Sequence, residues 1–362
     1  MSQFCHPAST NIGSTSCTPR TRHMPARVRG YVLILTIAAL ALLALVGAFI
    51  GQQVSSALRL AAAEQEYARD LRLAQDTLAT HVYLVATTQR TAAGIGSDQT
   101  LIRFDGRWYD AGNGMAISFI DGRGLINMRN APREWQQRLL ATYGLSAETI
   151  TALLDALEDY VDNDSLRRIQ GAEKDDYLRK NLNPPRDFPI MSRHELLSVY
   201  GWKETDALWG QDPVLNHVVV DDVTGVNPAT ATWRSMVAAF GISESVAKDF
   251  VLERNKHDPV TAVNFANIYD AQTTGDDFMK LHKGIAFPSS TTILRVGKPG
   301  SNKAWQISFS LTPESTRGPW VIQDWSEMAL DTPPADKLEK IPDLTPYRAS
   351  FENAKKGMGF LQ

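Results

Sequence analysis

The 362 residues carry 37 basic and 40 acidic side chains, a formal net charge of −3, and are 43% hydrophobic and 21% charged. This is ordinary globular composition, long enough for two domains. Removing residues 1–30 takes four arginines and no acid and moves the charge to −7, which makes the remainder a poor electrostatic partner for nucleic acid or anionic lipid. Both cysteines, Cys5 and Cys17, precede the first apolar run, so the rest of the chain has no disulfide to form, no thiol nucleophile and no thiolate metal site.

From Tyr31 to Ile50 there is no charge and no proline. Such a run satisfies its backbone as a helix and is long enough to cross the ~30 Å hydrocarbon core of a bilayer. Arg20, Arg22, Arg27 and Arg29 precede it, and the next basic residue is Arg59, so the positive-inside rule places the N-terminus in the cytoplasm. A cleaved secretory signal is the competing reading, with Leu60-Ala61-Ala62-Ala63 as small-residue cleavage context. The apolar core of such signals runs roughly 7–15 residues, shorter than this one.

No glycine or proline interrupts Gln52 to Thr91, and Val54, Leu58, Ala61, Leu71, Ala74, Leu78, Val82 and Val85 mark one helical stripe. Span and stripe are expected to form one helix over residues 31–90, with 31–50 in the membrane. At ~1.5 Å per residue it would be roughly 85 Å long and would need a sheet or a second domain against its outer stripe.

Glycine-punctuated strands follow at Leu101–Phe104 and Met115–Ile120, and again at Thr291–Val296, Trp305–Leu311 and Trp320–Trp325. The expectation is an α+β fold: a long N-terminal transmembrane helix packed on an antiparallel sheet built from residues 91–125 and 260–330. A helical insertion would occupy residues 126–259. Prolines and scattered charges beyond Leu330 read as a poorly packed tail over 331–362.

The insertion contains a repeat. Asn127 to Ala131 leads through a helix to Tyr143-Gly144-Leu145-Ser146, and Asn227 to Ala231 leads to Phe240-Gly241-Ile242-Ser243. Glycine suits the left-handed residue that closes a helix, and serine caps the next one. Gly201 ends a further helix, opened by the capping box Ser192-Arg193-His194-Glu195. The paired helices look like helix-hairpin-helix or SAM-type units, which raises a membrane-tethered DNA-binding module as a rival function. Grip on phosphate needs Lys or Arg at the glycine turns, where Ser146, Glu148, Ser243 and Glu244 stand instead.

No histidine pair has metal-ligand spacing, no Gly-x-Ser-x-Gly elbow exists, and residues 297–303 lack phosphate-loop spacing. An enzyme is not expected. Acids concentrate between Asp155 and Asp176. Counted from Asp162, Asp164 and Glu173 take positions three and twelve of an EF-hand, but Leu166 and Arg167 occupy the fifth and sixth, where a ligand and glycine belong. The cluster reads either as a solvated face with Asp/Arg pairing or as an irregular calcium site.

Together these features resemble the K minor pseudopilins of type II secretion systems. Arg29-Gly30 before an apolar helix is similar to a prepilin processing site, with cleavage after Gly30 and Tyr31 as the mature first residue. A start at Met24 would give the short basic leader MPARVRG. Most prepilin-like proteins carry Glu at the fifth mature position. Here it is Leu35, as suits a tip subunit with no neighbour above to supply an amine, since a lone carboxylate costs roughly 3 kcal/mol at the centre of a membrane helix. Asp159 to Asp164, Gly171 to Leu178, Pro184-Pro185, Ser192 to Leu197 with Gly201, and the second repeat with Asn227 and Ala231 follow the family's order.

The resemblance implies a single-pass inner-membrane protein with a periplasmic globular part at the tip of the pseudopilus. It would initiate assembly and support export of folded proteins across the outer membrane. Implied partners are the minor pseudopilins I and J, the major pseudopilin G, prepilin peptidase and the inner-membrane secretion platform, with no nucleic acid among them. It also implies structural calcium, for which Asp162, Asp164, Glu173 and Asp176 are the candidate ligands. A type IV pilus tip subunit is the nearest alternative.

Overall fold

Helix α1 runs from Arg29 to Thr87, 59 residues without a break, in close agreement with the helix expected over 31–90. The structure, a computed structural model, describes residues 29–97, 100–222, 224–256, 285 and 287–342. The leader over 1–28, including Met24, and most of 260–286 lie outside the described residues. The chain divides into two units, the first ending at Tyr67 and the second beginning at Ala68.

In the first unit every described side chain from Tyr31 to Tyr67 is exposed. Its most apolar window has mean hydropathy 2.8, so the helix is long and apolar enough to cross a membrane. Val54 and Leu58, the first residues of the sequence stripe, are exposed as well.

In the second unit the stripe is covered. Ala74, Leu78, Val82 and Val85 are buried in one core with Ile117, Phe119, Leu294, Ile307 and Phe309. The Phe119 ring stacks on Phe104 at 5.8 Å and meets His81 edge-on at 5.7 Å. Burial lowers the His81 pKa and outweighs the bond from its ring to the Thr77 carbonyl, so the ring is a neutral core residue.

A small antiparallel sheet follows α1, formed by β1 (Arg90–Thr91), β2 (Gly94–Gly96) and β3 (Leu101–Arg103). The main sheet starts with β4 (Asp105–Asp110) and β5 (Ala116–Asp121). Strand β4 was not expected, because Gly106 reads as a turn. It sits instead at a register shift between Asp105 and Trp108, with φ 88°, where glycine admits a bulge without ending the strand.

The insertion opens at β6 (Ile126–Asn127) and carries α2 (Arg133–Ala141), α3 (Ala147–Val161) and α4 (Lys174–Arg179). It continues through β7 (Val218–Val219), α5 (Trp233–Phe240) and α6 (Glu244–Lys256). Although mostly helical, it contains a parallel pairing of β6 with β7. The segment opened by Ser192 has its capping box with Glu195, but forms a 3-10 helix over Arg193–Ser198. Gly144, Gly201 and Gly241 have φ of 74°, 80° and 66°, the left-handed residues the repeat requires. Ser146 accepts the Thr149 amide and Ser243 the Val246 amide, capping α3 and α6. One core, which contains the fully buried Trp202, joins α2 to α6 of the insertion, and the Trp202 indole donates to the Leu153 carbonyl at 2.9 Å.

The main sheet resumes with β8 (Thr291–Gly297), β9 (Lys303–Leu311) and β10 (Trp320–Ala329), and closes with β11 (Glu339–Lys340). The strand order is β10-β9-β8-β5-β4-β11, antiparallel except that β11 runs parallel to β4. The expectation of a poorly packed tail is therefore corrected for residues 331–342. Thr332 is buried, and its hydroxyl accepts the Ser301 amide and lies 2.9 Å from the Ser301 carbonyl. Arg107 on β4 grips Glu339 at 3.1 Å. Of the prolines that suggested disorder, Pro333 and Pro334 precede a 3-10 turn over Ala335–Lys337 on the approach to this edge strand, where no ladder donor is needed.

Candidate functional site

The acidic stretch is organised from the end of α3. Asp155, Glu158, Asp159 and Asp162 recur at helical spacing, so they share a face that the following loop folds back to meet. Asp159 is fully buried, and Arg168 satisfies it with a guanidinium contact at 2.7 Å and a backbone amide. The same guanidinium reaches Glu158 at 2.7 Å and Asp162 at 2.6 Å, while Arg133 binds Asp155 at 2.6 Å and also Glu158. Bonds to Asp162 and Asp159 raise the Arg168 pKa against a smaller effect of burial. The Asp/Arg reading of this segment is thus realised.

At the edge of that network, Asp162, Asp164 and Glu173 each present one carboxylate oxygen, all within 4.8 Å of one another. Two ligands of one calcium ion, each 2.3–2.6 Å from it, can be that far apart. Asp162 Oδ1 and Glu173 Oε1 are buried and accept no hydrogen bond from the protein. Burial raises the Glu173 carboxyl above its ordinary value, and Asp159, Asp162 and Asp187 push the same way. Three carboxylates whose oxygens come this close, two of them with a buried oxygen that accepts no hydrogen bond from the protein, fit a calcium-type cation.

Asp176 is not part of this group. Its carboxylate accepts the Glu173 amide at 3.0 Å across the first turn of α4 and pairs with Arg179 and Arg167, so it caps a helix. Sequence spacing could not separate it from the others, because a first-turn acid and a ligand look alike until the helix start is known.

Of the processing residues, Gly30, Tyr31 and Leu35 all lie on α1, with Tyr31 and Leu35 exposed. Sequence reading missed a polar knot where the insertion leaves the sheet. Asp121, at the end of β5, accepts from Asn227 Nδ2 at 3.1 Å, Thr230 Oγ1 at 2.8 Å and the Ser289 amide at 2.8 Å. Its counterpart Asp221 accepts from Asn127 Nδ2 at 2.8 Å. Asp121 with Asn127 and Asp221 with Asn227 have identical spacing one hundred positions apart, and that was the available signal.

Residues 117–207 match the family model of protein K of the type II secretion system (T2SS). Among solved structures, a chain of the GspK-GspI-GspJ complex from the type 2 secretion system of enterotoxigenic Escherichia coli is similar at 13% identity and TM-score 0.46. The alignment covers 74% of this chain and 98% of that one. A comparison with curated proteins finds no match.

Proposed function

We propose that this chain, whose residues 117–207 match the family model of protein K of the type II secretion system, is a minor pseudopilin at the tip of the pseudopilus. The carrying observation is that this match begins on β5 and runs into the insertion between β5 and β8 of a sheet that α1 packs against. In this reading Gly30 is the processing residue, the apolar run from Tyr31 to Ile50 remains in the inner membrane, and the globular part faces the periplasm. An uncovered apolar helix is stable in lipid or beside similar helices, and Leu35 adds no charge there to be neutralised. The bulk of the insertion would obstruct a further subunit above it. The chain would thereby start assembly and support export of folded proteins.

Minor pseudopilins I and J are the proposed partners. Coexpressed with them, the chain is expected to elute as one three-protein complex in size-exclusion chromatography. Separate elution of all three would overturn the reading.

The calcium reading belongs here as well. Asp162, Asp164 and Glu173 would hold the ion, which would tie the loop after α3 to the start of α4. Titration calorimetry with calcium is expected to show binding that Asp164→Asn weakens by at least tenfold. Affinity should also fall as the pH drops toward the raised Glu173 pKa, because the ligand must lose its proton to bind. Unchanged affinity in the variant would remove these residues as ligands.

A further inference from the structure

Two guanidinium groups are buried where the insertion meets the sheet, and the carboxylates around them do not balance their charge. Arg295 on β8 is 8% exposed and donates from Nε to Gln306 Oε1 at 2.9 Å and from Nη2 to Asn216 Oδ1 at 3.0 Å. Both acceptors are neutral amides. Asp212, the carboxylate that acts on Arg295 through space, is already bonded to Arg234 at 2.9 Å and to His217 at 2.7 Å.

Arg193, 5% exposed, donates from Nη1 to the Leu215 carbonyl at 2.7 Å. Its Nε lies 3.9 Å from Asp324 Oδ2, too far for a hydrogen bond, and that carboxylate is also 3.6 Å from His194 Nδ1. Burial, then Arg193, keep His194 below its ordinary value against the pull of Asp324, so His194 is neutral near pH 7. Two cations therefore face one available anion. Burial pushes Arg295 down to about 9 and Arg193 down to about 10, the direction expected of cations short of counter-charge.

Beside them is a cavity of about 20 Å³, lined by Arg193, Gln306, Ser308, Gln323 and Asp324. That is room for one small guest. Two buried donors on its wall, Arg193 Nε and Gln306 Nε2, have no acceptor in the protein. The hydroxyl of Ser308 is turned to Gln323 Oε1 at 3.2 Å, and the Gln323 amide donates to Ser310 at 2.9 Å. A guest must therefore accept protons from both orphan donors. Water could do that, but it would leave the excess charge in place.

We propose that this cavity binds a monatomic anion, chloride in solution, held by Arg193 Nε and Gln306 Nε2, which pins the insertion to the sheet. The site is independent of the acidic loop and of the pseudopilin reading.

The test is thermal unfolding of the full chain in nonionic detergent, followed by circular dichroism. Sodium chloride is compared with sodium gluconate, whose anion is too large for the cavity, at equal ionic strength. Once the site is saturated, each tenfold rise in chloride should raise the melting temperature by roughly 2–5 °C over gluconate. Gln306→Glu keeps the acceptor for Arg295 and places a fixed negative charge where the anion would sit. It should melt higher than the parent in gluconate and respond equally to both salts. A bromide-soaked crystal should show an anomalous peak between Arg193 and Gln306. Equal responses of the parent to the two salts, a chloride response that survives Gln306→Glu, or water alone at the position would each overturn the proposal.

Discussion

Gly171 stands where no side chain fits. A Cβ there would come 1.9 Å from Asp159 Oδ2, and that carboxylate cannot retreat without releasing Arg168. Gly171→Ala should therefore cost about 2–4 kcal/mol in denaturant unfolding, the range for disturbing a buried ion pair. A cost under ~0.5 kcal/mol would mean that the loop is not anchored this way. Asp212 makes a pH prediction. Burial works against its charge, but the bond and charge of His217, then those of Arg234, prevail and hold the carboxyl down to about 2. A folded-state pKa below the unfolded ~3.9 gives stability that is complete above pH 4 and lost as the pH falls toward 2. Asp212→Asn should flatten that acid limb relative to the parent, and parallel limbs would contradict the assignment.

At the scale of elements, the two hairpins of the insertion exchange side chains. Asn127 reaches Asp221 and Asn227 reaches Asp121. Arg138 on α2 donates to the Ala238 carbonyl on α5 at 2.9 Å, and Arg234 on α5 donates to the Thr142 carbonyl after α2 at 2.7 Å. Each asparagine also folds its own chain alike: Asn127 Oδ1 accepts the Arg129 amide and Asn227 Oδ1 the Ala229 amide, both at 3.0 Å. Asn127→Ala and Asn227→Ala should each cost about 2–3 kcal/mol, because each strips a donor from a buried carboxylate. A difference beyond ~2 kcal/mol would show that the halves are not equivalent.

The helices, their glycine turns and their serine caps were legible in the sequence because those signals are local. Strand β4 was not, since a bulge glycine and a turn glycine look alike. Nor was β11, whose two residues form a strand only because β4 is there to receive them. At the site, Asp162, Asp164 and Glu173 were legible as acids of suitable spacing. The separate duties of Asp159, Arg168 and Asp176 required the fold, because burial and helix start decide which carboxylate is paired, which caps and which is left with an oxygen that accepts nothing from the protein.

For the whole molecule, the contrast between the two units governs the account. In the second unit the same helix has its apolar stripe covered, with Ala74, Leu78 and Val85 at no more than 1% exposure. From Tyr31 to Tyr67 no side chain is covered by the chain itself, and Tyr31, Leu33 and Leu35 are more than 60% exposed. Such a surface has to be met by lipid or neighbouring helices, so it serves a pseudopilin only if it survives processing. N-terminal sequencing of the full chain, coexpressed with prepilin peptidase and recovered from membranes, tests this most directly. The account predicts a single new terminus at Tyr31. An uncut chain, or a terminus at or beyond Ala63, would contradict it.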